Sequence, residues 1–403
     1  MKEDHIISIG TRIRKIIVFI LFVCIIFLPM LENVLNISAS YENTENRTKA
    51  QLPKFDIGYL DPFPSEYENY FNDNHNFRGE LLLLNSKFKF NILNISPVKI
   101  VVEGKDGWLY TSKYIESYIN SWLFTNIELD SLYKIYLQRS KSLDEKGIKH
   151  YIAIVPNKAH VYPEFLPDRL TKSKVTKTDQ FIKTLEKIPN LNVFYLRDAL
   201  LEEKEKSQYN LFYKTDQHWN EYGATVGVKK IVSEIKKDFP EMKDVELKDF
   251  IIDTTYTDGR GLARMLMLQK SIKEMVIDVN HIDSAKSNKI DTLIYPIPDV
   301  FPYKDRHQVY YSSNDEKQPK ILVIRDSFTD ALIDKLPNSF SETTYIWDTW
   351  CYELHKDIVA NEKPDIFLTI IIEANLPFII YKHNSVREDG YIAIEPNKKP
   401  RRD

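Results

Sequence analysis

Short apolar runs alternate with helical stripes through the middle of the chain. Tyr151–Val155, Lys320–Ile324 and Asp365–Ile372 are apolar segments of strand length. Apolar residues recur every three or four positions along Leu129–Leu143 and Tyr222–Ile235, which predicts helices. Buried strands that alternate with helices predict an α/β fold with a mainly parallel sheet flanked by helices, whose pocket chemistry gathers at the carboxyl ends of the strands.

Weaker patterns extend this alternation. Gly104 and Gly107 flank Lys-Asp between two short apolar runs, which predicts a hairpin turn. Further strands are predicted at Val98–Glu103, Val193–Leu196 and Thr344–Trp347, and further helices at Phe181–Leu185, Thr329–Leu336 and Glu353–Ala360.

The N-terminus carries an uncharged apolar run, Ile16–Leu31, preceded by Lys2, Arg12, Arg14 and Lys15. This pattern favours a signal-anchor helix whose N-terminus lies inside, so that the following residues are exported. A signal peptide cleaved near Ser38–Ser40 is the alternative. The predicted order is a cytoplasmic N-terminus (1–15), a transmembrane signal-anchor (16–31), an extracellular linker (32–60) and a catalytic domain (61–403), which places the protein in the cell membrane with that domain outside.

The amino-acid composition argues against several classes of function. The chain has 55 Lys and Arg against 58 Asp and Glu, so it lacks the basic excess of a dedicated nucleic-acid binder. It has only 11 Gly and no glycine-rich phosphate-binding motif. Cys24 lies in the apolar run, which leaves Cys351 without a plausible disulfide partner. No cofactor is predicted.

Two segments carry candidate chemistry. Asp216 and His218 stand two apart in Thr215–Asn220, so in an extended segment both side chains point the same way. Ser327 follows the apolar strand Lys320–Ile324 and opens a helix, where its hydroxyl is exposed. Together they supply a nucleophile, a base and an orienting carboxylate.

Plainer interpretations stay open from the residues alone. An Asp-x-His pair is common on protein surfaces, and Asp326-Ser327 is also a suitable helix cap. A metal site would need further ligands, for which His75, His160 or His307 are the candidates.

A set of motifs in a fixed order carries a family resemblance. From about Phe63 onward the chain resembles the alginate-acetylation (AlgJ/AlgX-type) and DHHW proteins of the SGNH hydrolase superfamily. The motifs are Phe71-Asn72-Asp73 with Phe77-Arg78, Gly104–Tyr110, Val155–Lys158 with Tyr162-Pro163, Thr215–Trp219 and Asp326-Ser327-Phe328. The Asp/His pair precedes the serine, as in the circularly permuted members of that superfamily.

The resemblance implies roles for the three residues. Ser327 would be the nucleophile, His218 the base and Asp216 the carboxylate that orients it. The chain departs from the family at Arg325, where a glycine is expected before Asp-Ser. Asn157, at the end of a predicted strand, is a candidate oxyanion donor together with the Ser327 backbone N–H, and Lys158 lies beside it. The alternative is that Asn157 and Lys158 are loop residues that end the strand.

Four aromatic residues, three of them within these motifs, are candidates for sugar platforms. Trp108, Tyr162, Trp219 and Trp347 are either platforms that stack on a glycan or members of the core. The two alternatives differ in whether the rings reach solvent.

The function that the resemblance implies is transfer of acetyl groups to hydroxyls of a cell-wall or secreted polysaccharide through an acetyl-serine intermediate. A membrane-bound O-acyltransferase would supply the acetyl group from inside the cell. A polysaccharide acetyl esterase with the same three residues is the first alternative. An inactive carbohydrate-binding scaffold is the second, which the presence of Ser327, His218 and Asp216 disfavours.

Overall fold

The structure is a computed structural model that describes residues 11–24, 26–27, 49–58, 60–75, 78–119, 123–282, 287–290, 307–312, 317–348 and 351–383. The chain forms two compact units. One consists of Met1–Lys99 with Ala263–Ile272, and the other of Ile100–Leu262 with Lys273–Asp403.

A seven-stranded sheet organises the larger unit. Its order is β4-β3-β11-β9-β10-β8-β7. The five strands from β4 to β10 are mutually parallel, which confirms the predicted α/β fold, and β8 and β7 add an antiparallel edge. The bounds are β3 Lys149–Val155, β4 Leu191–Tyr195, β7 Ser287–Ile290, β8 Gln308–Ser312, β9 Lys320–Ile324, β10 Glu342–Ile346 and β11 Ile366–Ile372.

Two antiparallel ribbons stand apart from this sheet. β1 (Val101–Glu103) and β2 (Leu109–Thr111) form the hairpin predicted around Gly104 and Gly107. Gly107 has a φ of +78°, a conformation that favours glycine. β5 (Phe250–Asp258) pairs with β6 (Lys273–His281), and this ribbon lies outside the sequence predictions.

Helices of the larger unit cover both faces of its sheet. After the helical residues near the N-terminus, the helices of the described residues are α1 Phe63–Asn74, α2 Arg78–Asn91, α3 Ser112–Ile119, α4 Asn126–Asp144, α5 Lys158–Val161, α6 Lys177–Leu185, α7 Arg197–Lys206, α8 Glu221–Ile235, α9 Gly261–Met265, α10 Lys356–Glu362 and α11 Leu376–His383. Short 3-10 helices lie at Pro163–Phe165, Leu247–Asp249, Gln269–Ser271, Ser327–Leu332, Leu336–Ser339 and Glu373–Asn375.

The central strands separate two apolar cores because successive side chains point to opposite faces. Tyr151, Ala153 and Val155 of β3 pack into one core together with α8. Ile152 and Ile154 pack into the other core with α4 and α6. Burial on both faces explains why these strands are almost continuously apolar in sequence.

The smaller unit contains α1 and α2. The carboxylate of Asp73 accepts a hydrogen bond from the backbone N–H of Ala50 at 2.9 Å, and the Asn74 amide donates to the Ala50 carbonyl at 2.9 Å. These two bonds hold the chain before α1 against the end of that helix.

Residues 11–24 and 26–27 are helical, and the rest of the predicted anchor to Leu31 lies outside the described residues. Within the described part of the chain, none of the helices combines the length and the apolar character that a membrane crossing requires. The boundaries at residues 15, 31 and 60 stay predictions.

Candidate active site

The Asp216–His218 segment is a tight loop that precedes α8. Phe212 and Trp219 form an isolated antiparallel bridge that closes this loop, and Asn220 caps α8 by accepting from the Gly223 N–H at 2.9 Å. Asp216 Oδ1 accepts from the backbone N–H of His218 at 3.1 Å, so the two side chains converge through an Asx-type turn. The sequence analysis expected an extended segment here, and that local conformation was wrong.

The Asp216 carboxylate orients the imidazole. His218 Nδ1 lies 2.7 Å from Asp216 Oδ1, and Asp216 Oδ2 accepts from the Gly261 N–H at 2.9 Å. A Cβ at Gly261 would lie 2.5 Å from Asp216 Oδ2, so this close approach of the main chain requires glycine. Gly261 was missed at the sequence level because it stands 45 residues from Asp216 with no motif around it.

Electrostatics keep Asp216 ionised. Burial opposes its charge, but the hydrogen bond and charge of His218 outweigh burial, and the N–H groups of His218 and Gly261 add to them. The pKa of Asp216 therefore lies well below its usual value. The carboxylate is available to stabilise an imidazolium at His218.

Ser327 stands where β9 ends. Asp326 caps the 3-10 helix Ser327–Leu332 by accepting from the Phe328 N–H at 2.9 Å. Asp326 Oδ2 also accepts from the Ile372 N–H at 2.9 Å and from the Tyr352 hydroxyl at 2.8 Å. Burial raises the pKa of Asp326, and these donors oppose the rise. Asp326 thus fixes the turn that carries the serine.

The two segments meet at the serine hydroxyl. His218 Nε2 lies 2.9 Å from Ser327 Oγ, and the His218 ring packs on Phe328 with centroids 4.6 Å apart. The Trp219 indole N–H donates to the Phe328 carbonyl at 2.7 Å, which joins the residues that follow His218 and Ser327. The structure therefore brings together the nucleophile, base and carboxylate that the sequence singled out.

The Ser327 backbone N–H is available beside the hydroxyl. No described residue accepts a hydrogen bond from it. A donor at this position can bind the oxygen of a carbonyl that Ser327 Oγ attacks.

Asn157 is not placed as an oxyanion donor. Its amide donates to Ser117 Oγ and, at 3.5 Å, to the Tyr114 carbonyl, and its backbone N–H donates to Glu373 Oε1 at 2.7 Å. The side chain is fully buried, and its donors are directed at α3. We therefore correct the expectation that Asn157 binds an oxyanion.

The proposed aromatic platforms are core residues. Trp108, Tyr162, Trp219 and Trp347 are all buried. A ring that does not reach solvent cannot stack on a sugar, so the platform alternative is corrected. Lys158 is buried as well and does not contact solvent as a substrate-binding residue would. Arg325, the departure from the family, pairs with Asp330 at 2.5 Å.

The metal alternative has no counterpart in the described residues. No group of three or more His, Cys, Asp or Glu side chains among them is arranged to hold a metal ion. His160, one of the candidates, pairs instead with Glu373.

Part of the chain is similar to known proteins. Residues 101–290 match the family model of the SGNH hydrolase-like domain of the acetyltransferase AlgX. A probable alginate O-acetylase AlgJ from Pseudomonas syringae pv. tomato is 30% identical over 140 residues, 35% of this chain and 34% of the relative. The AlgJ of Pseudomonas aeruginosa is 24% identical over 151 residues, 38% of this chain and 36% of the relative. The chain thus spans about a third of the length of these curated relatives.

Among solved structures, Bacillus cereus PatB1 is similar at 18% identity and a TM-score of 0.49, over 69% of this chain and 97% of that chain. Similarity of this degree carries no functional argument. Residues 101–290 are thus similar to an SGNH hydrolase-like domain, and the α/β sheet agrees with that similarity. The resemblance of this chain to AlgJ/AlgX-type acetyltransferases is confirmed as a similarity.

Proposed function

We propose that this protein is an O-acetyltransferase that acts on hydroxyl groups of a cell-wall or secreted polysaccharide. The observation that carries the proposal is the continuous contact from Asp216 through His218 to Ser327, at 2.7 Å and 2.9 Å. The match to the AlgX domain and the relatives named alginate O-acetylase support acetyl transfer as the reaction.

The first half-reaction acetylates the serine. Ser327 Oγ attacks the carbonyl carbon of the acetyl donor, and His218 Nε2 takes the hydroxyl proton. The imidazolium is stabilised by ionised Asp216, and the Ser327 N–H stabilises the oxyanion. The bond from the acetyl group to the donor breaks, and the donor leaves with the proton from His218.

The second half-reaction transfers the acetyl group. A sugar hydroxyl loses its proton to His218 and attacks the acetyl-serine carbonyl. The ester bond to Ser327 breaks, and Ser327 Oγ recovers the proton from His218. The sugar ester and the free enzyme result, so no further reactant is needed.

A polysaccharide acetyl esterase is the second candidate. The His218 side chain is partly exposed, so water can reach the base as readily as a sugar hydroxyl can. The two reactions share the acetyl-serine and differ only in the molecule that attacks it.

The direct test uses the full chain and an activated acetyl ester. Incubation with and without wall-derived or secreted glycans, followed by product analysis, separates transfer from hydrolysis. We expect acetylated glycan and a mass increase of one acetyl group on Ser327. Free acetate as the sole product, unchanged by any glycan, would replace the transferase with the esterase.

We also propose where the protein lies in the cell and what supplies its acetyl group. The basic residues before Ile16 and the uncharged run to Leu31 support a single-pass anchor with the catalytic domain outside the cell. A membrane-bound O-acyltransferase is the proposed acetyl donor. Protease added to wall-stripped cells should release a fragment of nearly full length, whereas complete protection of the domain would contradict export.

A further inference from the structure

Lys158 lies behind the active site, with its ammonium group against the loop that carries Asp216. It is the first residue of α5, directly after β3, and is 2% exposed. Its Nζ donates to the main-chain carbonyls of Tyr213 at 3.0 Å, Lys214 at 3.1 Å and Asp216 at 2.7 Å. All three donors of the ammonium are therefore used within one four-residue stretch.

Aromatic rings enclose the other side of the ammonium. Lys158 Nζ lies 4.9 Å from the Tyr110 ring centroid and 5.4 Å from that of Trp108. Leu109, between these two residues, donates its backbone N–H to the Lys214 carbonyl at 2.8 Å. The motif Gly104–Tyr110 thus lies against the Asp216 loop and lines the space that holds the lysine.

The carboxylate of Glu274, on β6, binds N–H groups of the same loop. Its carboxylate accepts from the Lys214 N–H at 3.1 Å, the Thr215 N–H at 2.7 Å and the Thr215 hydroxyl at 2.5 Å. The carbonyls of the loop therefore point to a cation and its N–H groups to an anion. Sequence offers no sign of this, because Glu274 is an isolated acid in a strand.

An apolar side chain at position 158 could not supply the donors that the three carbonyl oxygens receive from the lysine. Three converging carbonyl oxygens repel one another, and each one needs a donor when it is buried. Burial lowers the pKa of Lys158 to about 7, while the charges of Asp216 and Glu274 oppose that shift. Burial thus disfavours the ammonium form, yet that form supplies the three donors that the carbonyls of Tyr213, Lys214 and Asp216 receive.

We propose that Lys158 is a positioning residue of the acyl-transfer site, which holds the main chain of residues 213–216 so that Asp216 faces His218. It acts through Asp216 and touches neither the acetyl donor nor the acceptor. The inference rests on the proposed function only in taking Ser327 as the nucleophile.

Lys204 offers a matched control. Its Nζ donates to the Val161 carbonyl at 2.7 Å and lies 4.5 Å from the Tyr162 ring centroid, so it has the same kinds of contact. It makes no hydrogen bond to residues 213–216. Lys204 also pairs with Glu164 at 2.6 Å, and its side chain is 25% exposed. Lys158→Met and Lys204→Met thus remove the same ammonium group from two sites that each include a carbonyl and an aromatic ring, of which only the Lys158 site includes the Asp216 loop.

The experiment measures sulfonylation of Ser327 in the full-length protein by phenylmethylsulfonyl fluoride, followed by mass spectrometry. This reaction needs the activated serine but no glycan, so it tests the inference even if the glycan assignment fails. We expect Lys158→Met to react roughly 100-fold more slowly, because small displacements of catalytic groups have effects of that size. Lys204→Met should react at the wild-type rate.

Turnover of a small activated acetyl ester gives the second measurement. A positioning role predicts that kcat falls in Lys158→Met while KM for the ester stays near the wild-type value. If both methionine variants react alike with the sulfonyl fluoride and differ only in melting temperature, Lys158 is a stabilising residue and the proposal is overturned. If Lys158→Met does not fold, Glu274→Gln provides the test from the other side of the loop. It should lower the sulfonylation rate severalfold, and an unchanged rate would overturn the proposal.

Discussion

Two histidine–carboxylate pairs in this protein have almost the same geometry and different environments. His218 Nδ1 lies 2.7 Å from Asp216, and His160 Nδ1 lies 2.5 Å from Glu373. In the first pair the side chains are 27% and 16% exposed, and in the second they are 1% and 2% exposed.

The other ring nitrogen separates their roles. His218 Nε2 contacts the Ser327 hydroxyl, whereas His160 Nε2 is buried and meets no hydrogen-bond partner among the described residues. Glu373 also accepts from Thr178, Tyr195 and the backbone N–H of Asn157, at 2.7–2.9 Å. Of these two pairs, only the His218–Asp216 pair combines a serine hydroxyl at the second ring nitrogen with solvent access, so it is the pair that we propose as catalytic. The His160–Glu373 pair is a buried structural feature.

The largest expected effect follows removal of the Ser327 hydroxyl, which contacts His218 of the first pair. Ser327→Ala should lower turnover of an activated acetyl ester by roughly 10⁴- to 10⁶-fold, as loss of a triad serine does. The melting temperature should stay near that of the wild type. Wild-type turnover by this variant would mean that Ser327 is not the nucleophile and that the His218–Asp216 pair has no catalytic role distinct from that of the His160–Glu373 pair.

Replacement of the orienting carboxylate should have the next largest effect. Asp216→Asn should lower kcat by up to about 10⁴-fold, because the amide no longer holds the imidazole in the tautomer that accepts a proton. The loss should not exceed that of His218→Ala, measured under the same conditions. A greater loss in Asp216→Asn would indicate that Asp216 has a chemical role of its own.

As the pH is lowered, we expect ester turnover to be lost before the contribution of the His160–Glu373 pair to stability is lost. Activity should fall in acid, since a base that already carries a proton cannot accept the serine proton. Asp216 stays ionised in that range because its pKa is below the usual value. Burial opposes ionisation of Glu373, but His160 and the other donors outweigh it and lower its pKa below the usual 4.5. The stability from Glu373 is therefore present above about pH 4.5 and is lost only as the pH falls further.

The measurement for this prediction is a pair of profiles, ester turnover and free energy of unfolding against pH. Turnover should decline and recover reversibly at pH values where the fold is intact. A simultaneous loss of both quantities would mean that unfolding, and not His218, limits activity in acid.

Glu373→Gln should affect stability and leave the chemistry alone. It removes the charged partner of buried His160, and we expect a loss of about 3 kcal/mol in the free energy of unfolding. Denaturant titration measures that loss, and kcat of the folded fraction should stay near the wild-type value. A large drop in kcat without loss of stability would assign Glu373 to the active site.

Tyr195→Phe is the mildest change within the buried pair. It removes one hydroxyl that donates to Glu373 Oε2 at 2.7 Å. The expected loss is about 1.5 kcal/mol, as for a hydrogen bond to a charged group. In the double variant with Glu373→Gln the two losses should not add, because the hydroxyl then meets a neutral amide. Additive losses would show that Tyr195 acts independently of Glu373.

Sequence reasoning located the parallel strands because burial on both faces leaves continuous apolar runs, as in Lys320–Ile324, which matches β9 residue for residue. It failed for β5 and β6. Residues 253–258 of β5 are exposed and polar, and their partner strand starts 15 residues after β5 ends. Pairing between distant segments leaves no local periodicity to detect.

In the candidate site too, residues with a local sequence signal were predicted and contacts between distant segments were not. Asp216, His218 and Ser327 were found because their residue types and order carry the chemistry. Asn157 and Lys158 do follow the end of a strand, but the Asn157 amide donates to the Tyr114 carbonyl and the Lys158 ammonium to the Asp216 carbonyl. The direction of a side chain after a strand depends on partners such as Ser117 for Asn157 and the Tyr213 carbonyl for Lys158, which lie far away in sequence.

The position of β11 has a consequence for biosynthesis. It is the last strand of the large sheet in chain order, yet it lies between β3 and β9 and joins them. Its final residue, Ile372, also donates its N–H to Asp326, beside the nucleophile. A nascent chain that has emerged only as far as Glu362 thus contains Asp216, His218 and Ser327 but lacks the strand that joins β3 to β9. The candidate site is complete only once β11 has been made, so a product that stops before β11 carries these three side chains without an assembled site.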